Sequence, residues 1–196
     1  MADIMEQDPN FEQIRRKQRT PSLVLPRLFV GTRLHAYCLE ILRENNISHV
    51  LCVAQSVRYP SEDTVRRELV SMSDYGESNL ETDVKEKAMK FIREGLDTGT
   101  GVLIHCSQGI NRSPTVTLMW LVLGEGWTLR RAYDHLVVAR PCISPLERYW
   151  EQLRALELAH HGASTMSEQD TPKSIGTMLR EAYAQQNEAE ATDDTT

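Results

Sequence analysis

The chain alternates between short, fully apolar segments and longer segments in which apolar residues recur every third or fourth position. The stretches 47–54 and 102–105 are almost wholly apolar, which is typical of strands buried on both faces of a parallel sheet. An earlier apolar stretch, 22–31, contains Pro26 and predicts a strand with a turn. Another extended segment is predicted over 65–72. Together these segments predict a sheet whose middle strands are shielded from water.

Segments with helical periodicity lie between the predicted strands. Apolar residues recur every fourth position in 80–96, as expected of an amphipathic helix. Thr128 has the side chain of a helix N-cap, and Pro145 suits the first turn of a helix. The predicted helices cover 32–46, 80–96, 113–123, 128–139 and 145–160. Strands that alternate with helices predict an α/β fold with a central mixed sheet flanked by helices.

Charge is distributed unevenly along the chain, whose formal net charge is -6. Acidic residues outnumber basic ones in 161–196, which has few apolar residues and is predicted to be a disordered acidic tail. Residues 1–20 are predicted to be a flexible arm with a basic cluster at 15–17. The remaining region, 21–160, is long enough for one domain with a single core.

Composition argues against several classes of protein. No run of ~18 apolar residues exists, so no membrane span or membrane partner is predicted. The region 21–160 is close to neutral, which gives no electrostatic footprint for nucleic acid. Cysteines are few and widely spaced, so neither a metal site nor a cofactor is predicted. The N-terminus has no secretory signal, so we expect free thiols in the cytoplasm, with the nucleus as an alternative.

The apolar strand 102–105 leads directly into a loop that begins at Cys106 and ends at Arg112, where a helix begins. Such a loop points several backbone N–H groups into one concavity, and the helix N-terminus adds partial positive charge. Gly109 allows a backbone conformation that other residues resist. The guanidinium of Arg112 can bind two oxygens of a phosphate, and the same positive field favours the thiolate of Cys106. The pattern therefore predicts a phosphate site built over a nucleophile.

This arrangement suits phosphate ester hydrolysis through a covalent intermediate. The Cys106 thiolate attacks phosphorus, and water then hydrolyses the cysteinyl-phosphate. Ser113 can donate a hydrogen bond to the sulfur and help it leave, and His105 is expected to shape the loop. Phosphate is expected to bind Arg112 and the loop residues Ser107, Gln108, Gly109, Ile110 and Asn111.

The run from His105 to Ser113, His-Cys-Ser-Gln-Gly-Ile-Asn-Arg-Ser, resembles the signature of cysteine-based protein tyrosine phosphatases. The resemblance to dual-specificity phosphatases extends over about 22–158. It implies a dual-specificity phosphatase-like fold and a protein phosphatase that acts on phosphotyrosine and on phosphoserine and phosphothreonine in signalling. Asp74 stands where the family has its general acid, which protonates the leaving oxygen and later activates water.

The sequence departs from the family pattern near these residues. Asn111 stands where serine is commoner, and Leu146 where many members have asparagine. Rivals to Asp74 also exist, although one of them, Asp83, suits the first turn of its helix better. The rival acids are Asp63, Glu77 and Asp83. Catalysis stays predicted, but substrate preference is open.

Several alternatives stay open. Some phosphatases of this superfamily place a second cysteine where Cys52 stands, as a redox partner; the other interpretation is a small buried apolar residue. The basic cluster 15–17 followed by Leu23 is similar to a MAP kinase docking motif, although a solvated arm is favoured. Other functions are hydrolysis of RNA 5′-phosphates or phosphoinositides, or a silent phosphate-binding module. Arg58, Tyr59 and Arg66 are placed at the rim of a shallow cleft.

Overall fold

The computed structural model describes residues 20–59 and 64–172. Asp63, the basic cluster 15–17 and most of the predicted acidic tail lie outside these residues. The strands are β1 Ser22–Leu25, β2 Leu28–Gly31, β3 Ile47–Cys52, β4 Arg66–Leu69 and β5 Gly101–His105. The helices are α1 Arg33–Tyr37, α2 Leu39–Glu44, α3 Lys85–Asp97, α4 Arg112–Leu123, α5 Leu129–Ala139 and α6 Glu147–His161, and one π-helical turn, Leu80–Val84, precedes α3.

The strands form one mixed sheet in the order β1-β2-β5-β3-β4. β1 and β2 pair antiparallel through the turn predicted at Pro26, and the other pairs are parallel. The predicted central mixed sheet flanked by helices is therefore confirmed. β5, which carries the apolar stretch before Cys106, is the middle strand, and both of its faces are covered.

Alternate residues of β5 enter two different cores. Val102 and Ile104 pack into the larger core under α3 to α6, whereas Leu103 packs into a smaller core under α1 and α2. Side chains of a strand alternate between the faces of a sheet, so a middle strand covered on both faces must be apolar throughout. The strand therefore holds its C-terminal end, where the loop begins, in a rigid position.

The single helix predicted over 32–46 is two helices in the structure. They meet at Cys38, whose backbone is extended, with φ -88° and ψ 101°. Ala36 and Leu42 would face different directions on one continuous helix, because six residues turn it by about 600°. The break lets both side chains pack into the smaller core. Thr32 caps α1, as its Oγ1 accepts a hydrogen bond from His35 N at 3.4 Å.

Residues that follow the predicted boundary at 160 also contact the body of the protein. Residues 162–172 lie against the body, and Met166 is buried in the larger core. The buried carboxylate of Glu157 holds this segment: it accepts hydrogen bonds from Thr165 N at 2.8 Å and from Ser164 Oγ at 3.0 Å. The polar composition of 162–172 does not indicate this packing. The segment contributes one buried methionine, Met166, and the carboxylate that binds the segment, Glu157, belongs to α6.

Candidate active site

The loop between β5 and α4 wraps around the sulfur of Cys106. Gly109 N donates to Cys106 Sγ at 3.2 Å, and Ser113 Oγ donates to the same sulfur at 3.4 Å. Two donors therefore converge on this sulfur. Arg112 and Ser113 begin α4, so the helix N-terminus adds positive potential beside the sulfur. Cys106 is buried, and it lies at the base of the loop.

The backbone carbonyls of residues 106–110 all accept hydrogen bonds from groups outside the loop cavity. Cys106 O lies 3.1 Å from His105 Nδ1, Ser107 O accepts from Arg33 N, and Ile110 O accepts from Ser144 N. Gln108 O and Gly109 O both accept from Arg140. In a trans peptide the N–H points opposite to the carbonyl, and the described residues contain no cis bond. Five consecutive N–H groups, of residues 107–111, therefore point away from these partners, as an anion-binding nest requires.

Arg140 is the residue that sequence reasoning missed. Its buried guanidinium donates from Nε to Gly109 O at 2.6 Å and from Nη2 to Gln108 O at 3.0 Å. Arg140 directly follows the last residue of α5 and precedes Pro141. No local pattern relates residue 140 to the loop, because the contact joins segments far apart in sequence.

Gly109 is required by space as well as by its backbone angle. Its φ is +70°, in the left-handed region. A Cβ at this position would lie 2.5 Å from Gly31 O and 2.6 Å from Arg140 Nη2. The end of β2 and the guanidinium of Arg140 thus lie directly against Gly109, and a residue with a side chain at position 109 would displace the loop.

A cavity of about 250 Å³ opens above the loop. It is lined by Asp74, Cys106, Ser107, Gln108, Ile110, Asn111 and Arg112. A larger cavity, of about 470 Å³, lies between the 77–81 segment and α6, but the candidate nucleophile is not among its lining residues. The smaller cavity is therefore the candidate active site, and it contains most of the residues that the sequence predicts for it.

Asp74 reaches the loop from the far side of the cavity. Its Oδ2 accepts from Arg112 Nη2 at 3.0 Å, and its Oδ1 accepts from Asn111 Nδ2 at 3.0 Å. Tyr149 hydroxyl donates to the carbonyl of the preceding residue, Ser73, which fixes the loop on α6. Among the acids proposed from sequence and described here, Asp74 is the one that bonds to the phosphate loop.

The rival carboxylates have other partners. Asp83 Oδ2 accepts from Asn79 N at 2.9 Å and its Oδ1 accepts from Thr82 Oγ1, as a helix-start residue does. These hydrogen bonds, first that of Thr82, lower the pKa of Asp83. Glu77 Oε2 accepts from Ser73 Oγ at 3.1 Å and so braces the loop that carries Asp74.

His105 lies behind the loop and is linked to Tyr59. Tyr59 hydroxyl is 2.6 Å from His105 Nε2, while Nδ1 faces Cys106 O. Burial lowers the pKa of His105 to about 4, so the ring is neutral at pH 7. A neutral ring then donates from Nδ1 and accepts from Tyr59 at Nε2. The structure thus places Tyr59 beneath the loop, whereas the sequence analysis placed it at the rim of the cleft. Arg66, also expected at the rim, forms an ion pair with Glu94 at the edge of the sheet.

Cys52 ends β3 and pairs in register with His105 on β5. Its thiol is free and buried beside the loop. Burial raises the pKa of Cys52, although a hydrogen bond with Tyr59 acts in the opposite direction and lowers it.

No cluster of three or more metal-ligating side chains occurs within 20–59 and 64–172. In the same residues, no helix has the length and apolar character needed to cross a bilayer.

Comparison with known proteins gives a consistent result. Residues 28–158 match the family model of the dual specificity phosphatase catalytic domain. Dual specificity protein phosphatase 1 of Arabidopsis thaliana is 34% identical over 142 residues, which cover 72% of this chain and 71% of that protein. MAP kinase phosphatase with leucine-rich repeats protein 2 of Dictyostelium discoideum is 33% identical over 138 residues, covering 70% of this chain but 19% of that protein.

A solved structure supports the fold independently. The crystal structure of human DUSP28 superposes with a TM-score of 0.67, covering 72% of this chain and 98% of that one, at 23% identity. At that identity the likeness concerns the fold alone. The fold in both cases is the mixed sheet with flanking helices described above.

Proposed function

The chain belongs to the dual specificity phosphatase family, and on this premise we propose that it hydrolyses phosphotyrosine, phosphoserine and phosphothreonine in proteins through a phosphocysteine at Cys106. The observation that carries the proposal is the set of five outward-bonded loop carbonyls, which turns the N–H groups of 107–111 inward, toward an oxyanion and, for Gly109 N, also toward Cys106 Sγ at 3.2 Å. A sulfur with two donors lies at the centre of that loop.

In the first step the Cys106 thiolate attacks phosphorus from below. The sulfur–phosphorus bond forms as the bond to the leaving oxygen breaks, and negative charge spreads over the three other oxygens. The loop N–H groups and the fork of Arg112 stabilise that charge. Asp74, in its protonated form, donates its proton to the leaving tyrosyl, seryl or threonyl oxygen.

In the second step water replaces the sulfur. Asp74, now ionised, accepts a proton from the water as the water oxygen bonds to phosphorus. The sulfur leaves as a thiolate, which the Ser113 hydroxyl stabilises through the hydrogen bond at 3.4 Å. The roles proposed for the other loop residues follow from position: Ser107, Gln108, Gly109, Ile110 and Asn111 bind the phosphate through their N–H groups, and His105 orients the loop.

The substrate class follows from the site and the relatives. The cavity of about 250 Å³ opens beside exposed Ser107 and Gln108, and we propose that it admits short phosphoserine and phosphothreonine side chains as well as phosphotyrosine. One relative is named a MAP kinase phosphatase, so a MAP kinase is a candidate substrate in signalling. Leu23, in the segment similar to a docking motif, is 56% exposed on β1 and can contact a partner. We place the activity in the cytoplasm or nucleus.

Cys52 is proposed as a redox partner of Cys106. Peroxide oxidises the Cys106 thiolate to a sulfenic acid, and the Cys52 thiol then displaces water to form a disulfide that protects the nucleophile. Adjacency of β3 and β5 supports this assignment. Peptide mapping after peroxide treatment, with Cys52→Ser and Cys142→Ser compared, tests it: the disulfide peptide should disappear only in the first variant.

The domain is proposed to consist of residues 21–172, extended from 160 by the segment that Glu157 holds. The family model, which ends at residue 158, covers less of the chain than this unit.

Substrate class can be tested by comparing turnover on phosphotyrosine and phosphothreonine peptides, 5′-triphosphate RNA and a short-chain phosphoinositide. We expect turnover on both peptides, and loss of all turnover in Cys106→Ser. Faster hydrolysis of the RNA or of the phosphoinositide would assign a different substrate. Binding of phosphopeptides by the wild type without hydrolysis would indicate the silent module instead.

A further inference from the structure

Asn111 occupies the loop position where the family more commonly has serine, and its side chain bonds to two other segments of the chain. We infer that Asn111 is a positioning residue that holds the general acid Asp74 over the phosphate site. The inference rests on the proposed function, because it assigns a role in proton transfer to the leaving oxygen. Its basis is one carboxamide whose two ends bond to different elements.

Both ends of the Asn111 carboxamide are used. Nδ2 donates to Asp74 Oδ1 at 3.0 Å and to Asp74 O at 3.3 Å. Oδ1 accepts from Leu146 N at 3.0 Å, just before α6. The backbone N–H of Leu146 can only donate, so Oδ1 must face it and Nδ2 must face Asp74. The orientation of the amide is thereby fixed by the chain itself.

Leu146 is the second position at which the sequence departs from the family pattern. The two departures meet at this hydrogen bond, where a backbone N–H of one residue bonds to the side chain of the other. A serine at 111 has one short hydroxyl in place of the carboxamide. It cannot span from Leu146 to Asp74 with an acceptor at one end and a donor at the other. The bridge therefore depends on the asparagine.

Arg112 also bonds to Asp74, but its guanidinium has a second task. In the proposed mechanism its fork binds two oxygens of the phosphate, and it must leave the carboxyl group of Asp74 when the substrate arrives. Among the described residues, Asn111 then supplies the remaining hydrogen bond to the Asp74 side chain. The acid thus keeps a fixed partner during the chemical step, when its direction matters most.

The bond to Asn111 also selects the oxygen that carries the proton. Oδ1 accepts from Nδ2, so in the protonated acid the proton lies on Oδ2. From Oδ2 it passes to the leaving oxygen as the phosphorus–oxygen bond breaks, and Asp74 is left ionised with Oδ1 still bonded to Asn111. In the second step Oδ2 accepts the proton of water. Proton and charge balance over the cycle without another group.

The inference is tested with Asn111→Ser and Asn111→Asp on a series of aryl phosphates from 4-nitrophenyl to phenyl phosphate. Asn111→Asp keeps an oxygen for Leu146 N–H but replaces the donor with a carboxylate facing Asp74. We expect kcat/KM of Asn111→Ser to fall about tenfold on phenyl phosphate, a poor leaving group, and less than about threefold on 4-nitrophenyl phosphate. The added carboxylate of Asn111→Asp also repels the phosphate, so its kcat/KM should fall further on both substrates, and most on phenyl phosphate. Asn45→Ser, which removes an amide bonded to Ile41 O far from the site, is the control and should follow the wild type.

A double-mutant cycle separates positioning from a general structural effect. In an Asp74→Asn background, Asn111→Ser should change kcat/KM by less than about twofold, because the acid it positions is gone. An equal fall on every aryl phosphate, or the full effect in the Asp74→Asn background, would overturn the inference. Failure of the proposed function would be visible separately, as a wild type without a phosphocysteine burst or as an active Cys106→Ser variant.

Discussion

Arg112 and Asp74 meet through two nitrogens and two oxygens. Nη2 donates to Oδ2 at 3.0 Å, and Nε lies 3.0 Å from Oδ1. The N–H at Nε does not point at that oxygen as a hydrogen bond requires, so it has no hydrogen-bond acceptor among the described residues. The Arg112 side chain is 6% exposed and that of Asp74 is 52% exposed. A phosphate oxygen can therefore satisfy this buried donor when Arg112 releases the carboxylate of Asp74.

Replacement of Asp74 by asparagine should impair catalysis according to the leaving group. We expect Asp74→Asn to lower kcat on a phosphotyrosine peptide about a hundredfold, because the leaving oxygen departs without a proton. The loss on 4-nitrophenyl phosphate should be much smaller, since that oxygen is already a good leaving group. Asp83→Asn, which changes the acid at the helix start, is the control and should keep wild-type turnover. Full activity of Asp74→Asn on the peptide would show that another group is the acid.

Arg140→Lys tests the support behind the phosphate loop. A lysine has a single nitrogen in place of the Nε and Nη2 donors of the fork, so the two loop carbonyls cannot keep both bonds in their present geometry, at a cost of about 1–3 kcal/mol of unfolding free energy. The loop N–H groups should also diverge, and we expect the inhibition constant of orthovanadate to rise about tenfold. Arg66→Lys, at an exposed ion pair on the sheet edge, is the matched control. Unchanged vanadate affinity in Arg140→Lys would contradict the role given to Arg140.

The neutral His105 makes stability depend on pH. Its pKa is lowered from 6.5 to about 4, chiefly by burial, so the unfolded chain binds a proton more readily than the folded one. Stability from this group is complete above pH 6.5 and is lost as pH falls toward 4, by about 3 kcal/mol. Urea unfolding at pH 6.5 and pH 4 should show that loss in the wild type beyond the loss in His105→Asn. An equal loss in both proteins would mean that His105 titrates normally.

The hydrogen bonds of Glu157 predict how truncation of the C-terminal segment affects thermal stability. Burial alone would raise the pKa of Glu157, but hydrogen bonds from Leu129 and Thr165 outweigh it and lower the pKa. A chain ending at residue 172 keeps the partners of Glu157 and is the reference for the comparison. A chain ending at 161 should melt several degrees lower, because the carboxylate loses its bonds from Ser164 and Thr165 and keeps only that from Leu129 N, and the site of Met166 is exposed. Equal melting temperatures for the two truncations would show that the segment adds no stability.

Local patterns allowed much of the fold to be predicted. The apolar strand before Cys106 and the strand 47–54 were recognisable because a strand buried on both faces has no polar alternation. The break at Cys38 could not be predicted, since it depends on which face of the sheet Ala36 and Leu42 must reach. Likewise, residues 162–172 have the composition of a mobile tail, and their packing depends on a carboxylate in another element.

The site divides in the same way. Cys106 and Arg112 are close in sequence, so the loop between them could be assigned from spacing and chemistry. Asp74 was assigned by resemblance, and its distance from Arg112 required the fold. Arg140 has no signal in the local sequence, because its bonds run to the backbone of a loop formed by other residues. Every residue has a backbone carbonyl, so the residue types in the loop do not indicate that an arginine binds there. This explains why sequence reasoning missed Arg140.

The central claim is that Cys106 becomes phosphorylated during turnover. The direct measurement is to mix the protein with a ³²P-labelled phosphotyrosine peptide, quench within milliseconds, and map the labelled residue. We expect label on a peptide containing Cys106, at close to one phosphate per active site, and none in Cys106→Ser. Turnover of the peptide without label on Cys106, or label on any other residue, would contradict the account.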